Sequence, residues 1–380
     1  MEEILVRVGE MFLKSEPVLR IYERRLIDNM KTALTREKIK FKIYKLRGRI
    51  FIQTKQIEKS CEVLKKVFGI VSFSPCYNLK TSSLREIQNF VKKNYPKWIK
   101  EKQKFAARAR RVGRHDFTSQ DLAKAVGDVI DRKVDLTKPD VEVGIELRED
   151  NCYIYTETMK GLGGLPVSTS GKVLCLMSGG IDSPVAAWMM MKRGCSVTFL
   201  HFHSFPLVSK KSIEKTKELV KVLSQYQNEI KTYFVPFQKI QTEIKTKIDE
   251  KYRIVLYRRF MLRIAEKIAR MEEAGAIATG ENLAQVSSQT LDNLAVIEEV
   301  TAMPVLRPVV GMDKVEIVDL AKKIGTYDIS IKPQEDCCTL FVPKHPTTKA
   351  RLNVVKELEK KLDVEKLVKE AVKNAEIEKI

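Results

Sequence analysis

Several common features are missing from the sequence, and each absence removes a class of protein. The seven cysteines, Cys61, Cys76, Cys152, Cys175, Cys195, Cys337 and Cys338, are odd in number, irregular in spacing and contain no C-x-x-C pair. A disulfide framework and a four-cysteine zinc site are therefore not expected, and no metal ligand set is assigned. No apolar run reaches the roughly 20 residues that span a bilayer, and no charged-then-apolar leader opens the chain. The expectation is a cytoplasmic protein with no membrane association. Acidic residues are scarce beside basic ones, 49 Asp/Glu against 69 Lys/Arg, for a net charge of +20. Enrichment of both signs, as in proteins of hot environments, would account for the 31% of charged residues but not for their imbalance. The excess suits a partner with a phosphate backbone. With 44% hydrophobic residues over 380 positions, the chain is globular and has room for two or three domains.

What the sequence does contain is organised around residues 172–184. Val173 to Met177 is a continuous apolar run, the pattern of a strand buried on both faces of a parallel sheet. Ser178-Gly179-Gly180-Ile181-Asp182-Ser183 then turns the chain. Ser183 is expected as the N-cap of a helix, with Pro184 at its first position and Val185 to Met191 continuing it. Such a unit offers backbone N–H groups, small hydroxyls and a helix N-terminus to an anion. Ser170-Gly171-Lys172-Val173 imitates the end of a Walker A loop, but Pro166 stands where its first glycine belongs and Val173 where its Ser/Thr belongs. The Ser178–Ser183 stretch instead resembles the PP-loop (SGGxDS) of ATP pyrophosphatases. That resemblance implies ATP, cleaved between its α and β phosphates, with Mg²⁺ and with Ser178, Gly179, Gly180 and Ser183 around the phosphates. Asp182 would hold a metal or order the loop.

Before this stretch the periodicity predicts two α+β segments. In residues 1–75 the order is strand (Ile4, Val6, Val8), helix (Leu19, Tyr22, Leu26 and Met30 on one face), two strands around Arg47-Gly48, a helix over 57–68 and a strand over 69–73. This βαββαβ order is the ferredoxin-like arrangement. Residues 76–170 repeat the kind but not the sequence. They contain a strand over 104–111, a Thr118-x-x-Asp121 capping box before a helix, and a hairpin of 141–147 with 152–156. Arg108, Arg110, Arg111 and Arg114 line one edge of this segment, and in so basic a chain they are expected to contact RNA.

From 171 to 380 strands and helices alternate, as in a doubly wound parallel sheet. Strand ends are expected at His201-Phe202-His203 and at Gly280-Glu281-Asn282. His203 has no Cys or His nearby to complete a metal set and is read as shaping the site edge. Phe202 offers an aromatic face to adenine or packs in the core. Arg258 and Arg259 contact a ligand or are surface charges. Residues 347–380 read as an amphipathic helical tail packed on the sheet domain.

The segment 76–170 resembles a THUMP domain, and Gly161 to Lys172 joins it directly to the PP-loop strand. Over its whole length the chain resembles the tRNA 4-thiouridine synthetase (ThiI) family. The resemblance implies three parts: a ferredoxin-like domain at 1–75, a THUMP domain at 76–170 and a PP-loop ATP pyrophosphatase domain at 171–380. It places ATP contacts on Leu176, Met177, His201, Phe202, Arg258, Gly280 and Gln289, catalytic roles on Asp182 and Lys314, and the sulfur-carrying cysteine on Cys337. It implies a tRNA uracil 4-sulfurtransferase acting at position 8 of tRNA, with a persulfide as sulfur source. Many members carry a further C-terminal rhodanese domain, for which 380 residues leave no room. The expectation is thus a short form served by a separate donor such as a cysteine desulfurase, with a homodimer left open. Two other readings share parts of this pattern. A PP-loop ligase or amidotransferase would not need the basic N-terminal half, and a non-catalytic RNA-binding protein would not need the PP-loop.

Overall fold

The computed structural model describes residues 1–9, 11, 15–333 and 345–380. The chain folds as two compact units, Met1–Pro166 and Val167–Ile380. Among the described residues no helix is long and apolar enough to cross a membrane.

The first unit runs β1 (Glu3–Val8), α1 (Glu16–Arg36), β2 (Lys42–Leu46), β3 (Arg49–Gln53), α2 (Ile57–Leu64), β4 (Ile70–Leu79), α3 (Leu84–Trp98), β5 (Phe105–Val112), α4 (Ser119–Gly127), β6 (Val141–Arg148), β7 (Asn151–Tyr155) and β8 (Met159–Lys160). Its first half is the ferredoxin-like βαββαβ unit. Alternation along β1 sends Ile4 and Val6 to the helix side, where they meet Leu26, Met30 and Phe73. Leu5 goes to the other side, against Phe51, Cys76 and Tyr153. The strand expected to stop at Phe73 continues to Leu79. Its first part pairs with β1, and Tyr77–Leu79 pair with β7. One eight-stranded sheet results, in the order β2-β3-β1-β4-β7-β6-β5, with β8 beside β4. The basic strand β5 pairs with β6 and forms one border of the sheet, with a single parallel bridge from Phe105 to Val134 on its other side. The α4 capping box forms as read: Thr118 Oγ1 accepts from Asp121 N at 3.1 Å, and Asp121 accepts from Thr118 N at 2.8 Å.

The second unit runs β9 (Lys172–Leu176), α5 (Asp182–Lys192), β10 (Ser196–His203), α6 (Lys211–Leu223), β11 (Lys231–Pro236), α7 (Gln238–Lys247), α8 (Arg253–Met271), β12 (Ala276–Ala278), α9 (Leu291–Glu298), β13 (Val305–Leu306), α10 (Lys314–Ile324), α11 (Tyr327–Ser330), α12 (Leu352–Glu359), α13 (Val364–Lys373) and β14 (Glu376–Lys379). Thr169 and Ser170, read with the preceding segment, donate to Gly194 O of this unit, each at 2.9 Å. The sheet order is β13-β12-β9-β10-β11-β14. All its strands are parallel except β14, which runs antiparallel to β11.

Two expectations are corrected here. The tail is helical only to Lys373, and its last residues add the strand β14, with Ile377 opposite Tyr233. The reason is that β11 otherwise ends the sheet with unpaired backbone groups. Ser183 is not the N-cap of α5, because the helix already begins at Asp182. Its hydroxyl turns back instead and accepts from Ser178 N at 3.0 Å.

Candidate active site

Strand β9 has β10 on one side and β12 on the other. The chain order reverses there, and the carboxyl ends of such strands open onto a crevice where a ligand can bind. A cavity of about 210 Å³ lies at that point. It is lined by Leu176 at the end of β9, Met177 and Ser178 after it, Asp182 and Ser183 at the start of α5, and His201 and Phe202 on β10. Arg258 of α8, Gly280 after β12, and Gln289 complete this set of predicted residues. Gly179 and Gly180 belong to the same loop but do not line the cavity. Cys337 and Cys338 lie outside the described residues. The other five cysteines are buried and unbridged. Burial pushes the Cys61 thiol up to about 11 and the Cys152 thiol up to about 12, so neither is a ready thiolate.

The loop from 178 to 183 is braced by its own hydroxyls. Ser178 and Ser183 Oγ atoms are 3.1 Å apart, and Gly180 N donates to Ser178 Oγ at 3.2 Å. Behind the loop, α5 presents the N–H groups of its first turn, which have no intrahelical acceptor. Gly280, which also lines the cavity, packs directly against the end of this loop. A Cβ there would lie 2.6 Å from Ser183 N and 2.7 Å from Ser183 Cα, so only glycine allows this backbone-to-backbone approach.

The predicted residues have distinct neighbours. His201 Nδ1 is 2.9 Å from Met177 O, and since a carbonyl only accepts, Nδ1 carries the proton. Phe202 combines both readings: it lines the cavity and packs edge-on to Phe237 with ring centres 5.3 Å apart. Gln289 is 7% exposed, and its Oε1 is buried without a hydrogen-bond partner. Such an unsatisfied acceptor in a cavity wall suits a ligand donor. Asp182 receives Lys314 Nζ on Oδ1 at 2.5 Å and Gln285 Nε2 on Oδ2 at 3.1 Å. The surface alternative is corrected for Arg259, which is 1% exposed and bonded through Nε and Nη2 to Glu359, each at 2.9 Å. His203 is buried next to His201, and burial first, then that neighbour, push its pKa down to about 4.

Some participants carried no local signal. Glu281, placed by sequence only at a strand end, accepts from Arg258 Nη1 at 2.5 Å, Arg307 Nε at 2.9 Å and Thr279 Oγ1 at 3.0 Å. It thus fixes the Arg258 guanidinium in the cavity wall. Arg307 and Gln285 lie on connections with no pattern that could single them out.

The other predicted surface lies in the first unit. Arg110 and Arg111 line a concavity of about 500 Å³ together with Arg47, Arg49 and Arg148. Arg108 lines a second one beside it, with Arg7 and Arg110, and also donates to Leu136 O at 2.5 Å. Arg114 is exposed and lines neither. Beneath the arginines sits Glu146. Burial raises its carboxyl, but Arg148, Arg49 and Arg7 outweigh that and hold it below the ordinary carboxylate range. Among the described residues no group of three His, Cys, Asp or Glu side chains is placed to hold a metal ion.

These features can be set beside known proteins. The family described as thiamine biosynthesis protein (ThiI) matches residues 168–364, the ThiI ferredoxin-like domain matches 3–74 and the THUMP domain matches 82–157. The "Probable tRNA sulfurtransferase" of Brevibacillus brevis is 42% identical, over 99% of this chain and 96% of its own length. The chain belongs to the ThiI family. A second ThiI relative, the "Probable tRNA sulfurtransferase" of Caldanaerobacter subterraneus subsp. tengcongensis, is 43% identical over 96% of both chains. A 4-thiouridine synthetase solved in complex with RNA and with bound ATP superposes with a TM-score of 0.92 at 35% identity, over 100% of each chain.

Proposed function

We propose that this ThiI protein is an ATP-dependent tRNA sulfurtransferase that makes 4-thiouridine, at position 8 of tRNA. The observation that carries the reading is the cavity at the strand reversal, where the Ser178–Ser183 loop faces a wall containing Phe202, Arg258 and Gln289. The arginine-lined concavity of the first unit supports a polyanionic substrate. The sulfurtransferase relatives and the RNA- and ATP-bound neighbour support tRNA and ATP as the substrate pair.

Uracil O4 is a poor leaving group, so it is first converted to a good one. O4 attacks the α phosphorus of ATP, the bond to the β phosphate breaks, and pyrophosphate leaves as the base gives up its N3 proton. The first-turn N–H groups of α5 and the ammonium of Lys314, bonded to Asp182 at the start of that helix, would stabilise the departing charge. Asp182 is a single carboxylate, which fits Mg²⁺ held jointly with substrate phosphates rather than in an all-protein cage. That ion would supply charge neutralisation. Cys337 carries the sulfur as a persulfide loaded by a separate donor such as a cysteine desulfurase. Its terminal sulfur attacks C4, the C4–O4 bond breaks, and AMP departs with O4. A second thiol then attacks Cys337 Sγ and releases 4-thiouridine, leaving a disulfide that an external dithiol reduces. Catalytic roles thus fall on Asp182, Lys314 and Cys337.

The test is pyrophosphate release with and without tRNA, followed by nucleoside mass spectrometry. Release that depends on tRNA, 4-thiouridine in the product and loss of both in Asp182→Ala are expected. Equal release without tRNA would instead indicate a small-molecule adenylating enzyme.

A further inference from the structure

Phe205 stands in the turn after β10, three residues beyond Phe202 of the cavity wall, a span of at most about 11 Å. It is 39% exposed, whereas among the described residues every other Phe, Tyr and Trp is buried or half-buried. A single exposed apolar residue is common and needs no ligand to account for it. Here the exposed apolar tip is longer, and it is held in place. Leu207 is 48% exposed, and Pro206 between the two is exposed as well. At the ends of the turn, Ser204 and Val208 are both buried. Val208 N donates to Ser204 O at 3.2 Å, and Ser204 Oγ donates to Gln241 Oε1 of α7 at 2.6 Å. Just before it, His203 O accepts from Phe237 N at 2.8 Å. The ring thus sits on a short turn fixed at both ends, so a planar partner stacking on it orders little that is not already ordered.

The surroundings are cationic. Lys210 Nζ lies 4.9 Å from the centre of the Phe205 ring, and the adjoining Lys211 is exposed. No Asp or Glu occurs from His203 to Ile213. An exposed ring with ammonium groups beside it suits a nucleotide, whose base stacks while its phosphate meets the cation. We infer that Phe205 is a stacking platform for an unpaired base of the tRNA, next to the uridine whose O4 enters the cavity. That uridine must leave its own stack for O4 to reach the α phosphorus, and the base beside it then lacks a neighbour that an aromatic ring replaces. This rests on the reading of tRNA as the substrate.

The full-length protein, substrate tRNA and ATP serve for the test, with a cysteine desulfurase and cysteine added for the complete reaction. In Phe205→Ala, kcat/KM for tRNA in pyrophosphate release is expected to fall about 5- to 150-fold, the range for one base stacked on an aromatic ring. Phe205 does not line the cavity, so the KM for ATP stays within about threefold and the melting temperature within about 2 °C, as for other exposed positions. Phe205→Tyr recovers most of the loss. Phe205→Leu does not, because leucine is apolar but offers no ring face. Phe205→Trp keeps a face and reports on it: its fluorescence, less that of the wild-type protein with Trp98 and Trp188, is quenched when tRNA is added. Wild-type kcat/KM for tRNA in Phe205→Ala, or in Phe205→Leu, overturns the inference. So does unchanged tRNA-dependent pyrophosphate release beside a loss of desulfurase-dependent 4-thiouridine, which would make the turn a contact for the protein that donates sulfur. If the wild-type protein releases pyrophosphate equally without tRNA, the substrate reading fails by itself. The fluorescence of Phe205→Trp then decides alone, and no quenching by tRNA overturns the platform.

Discussion

Gly280→Ala is a one-carbon change that should disable the nucleotide cavity. The added Cβ would lie 2.6 Å from Ser183 N, 2.7 Å from Ser183 Cα and 2.9 Å from Asp182 C, all backbone atoms that cannot rotate away. Ordinary contact begins near 3.4 Å, so the strand end and α5 must part by about 0.8 Å. Overpacking of this kind costs about 1–3 kcal/mol, which lowers the melting temperature of a unit of this size by roughly 2–12 °C. The function loses more, because Gly280 and Ser183, in contact with each other, both line the cavity. A displacement near 1 Å costs about 100-fold in a positioned reaction. Calorimetric titration of ATP and tRNA-dependent pyrophosphate release measure the effect, and scanning calorimetry measures the change in stability. Gly311→Ala is the control, since a Cβ there meets nothing within 4 Å and its cost should stay within about 0.5 kcal/mol. Wild-type ATP affinity and melting temperature in Gly280→Ala would refute the close approach on which the cavity depends.

Two further predictions follow from charge. Replacing Arg110 and Arg111 together by Ala should weaken tRNA binding and reduce the slope of log affinity against log salt by about 0.9 for each phosphate that the pair neutralises. An unchanged slope in filter-binding titrations would remove these arginines from the interface. His203, with its pKa pushed down to about 4 by burial and by His201, must stay neutral in the fold. Its contribution is fully present above the unfolded value near 6.5 and is lost as pH falls toward 4, by about 3 kcal/mol in all. Urea unfolding at pH 7 and pH 5 should show this loss in wild type and a flatter dependence in His203→Gln. Equal pH dependence in both would contradict it.

The sequence was most legible where a function depends on neighbours along the chain. Val173 to Pro184 reads as strand, glycine turn and helix because an apolar run meets Gly179, Gly180 and then a proline, and β9 and α5 lie there. The cap of α5 was misread because the partner of the Ser183 hydroxyl is five residues back and not in the following turn. Contacts between distant residues left no mark. Arg47 and Arg49 sit at a hairpin turn, and nothing local announces that they share a concavity with Arg110, Arg111 and Arg148. Glu281 and Arg307 meet across two connections for the same reason. Arg258 and Arg259 were inseparable by sequence, yet neighbours on a helix point about 100° apart, so one faces the cavity and the other the buried Glu359. β14 is four residues long, too short for a period, and is decided by the open side of β11.

The central claim is that uracil O4 is the atom adenylated and then lost with AMP. Transfer RNA carrying oxygen-18 at O4 of uridine 8, incubated with the protein, ATP and a cysteine desulfurase, tests this in one experiment. Mass spectrometry of the released AMP should find one oxygen-18 per 4-thiouridine formed. Unlabelled AMP beside newly formed 4-thiouridine would contradict the account.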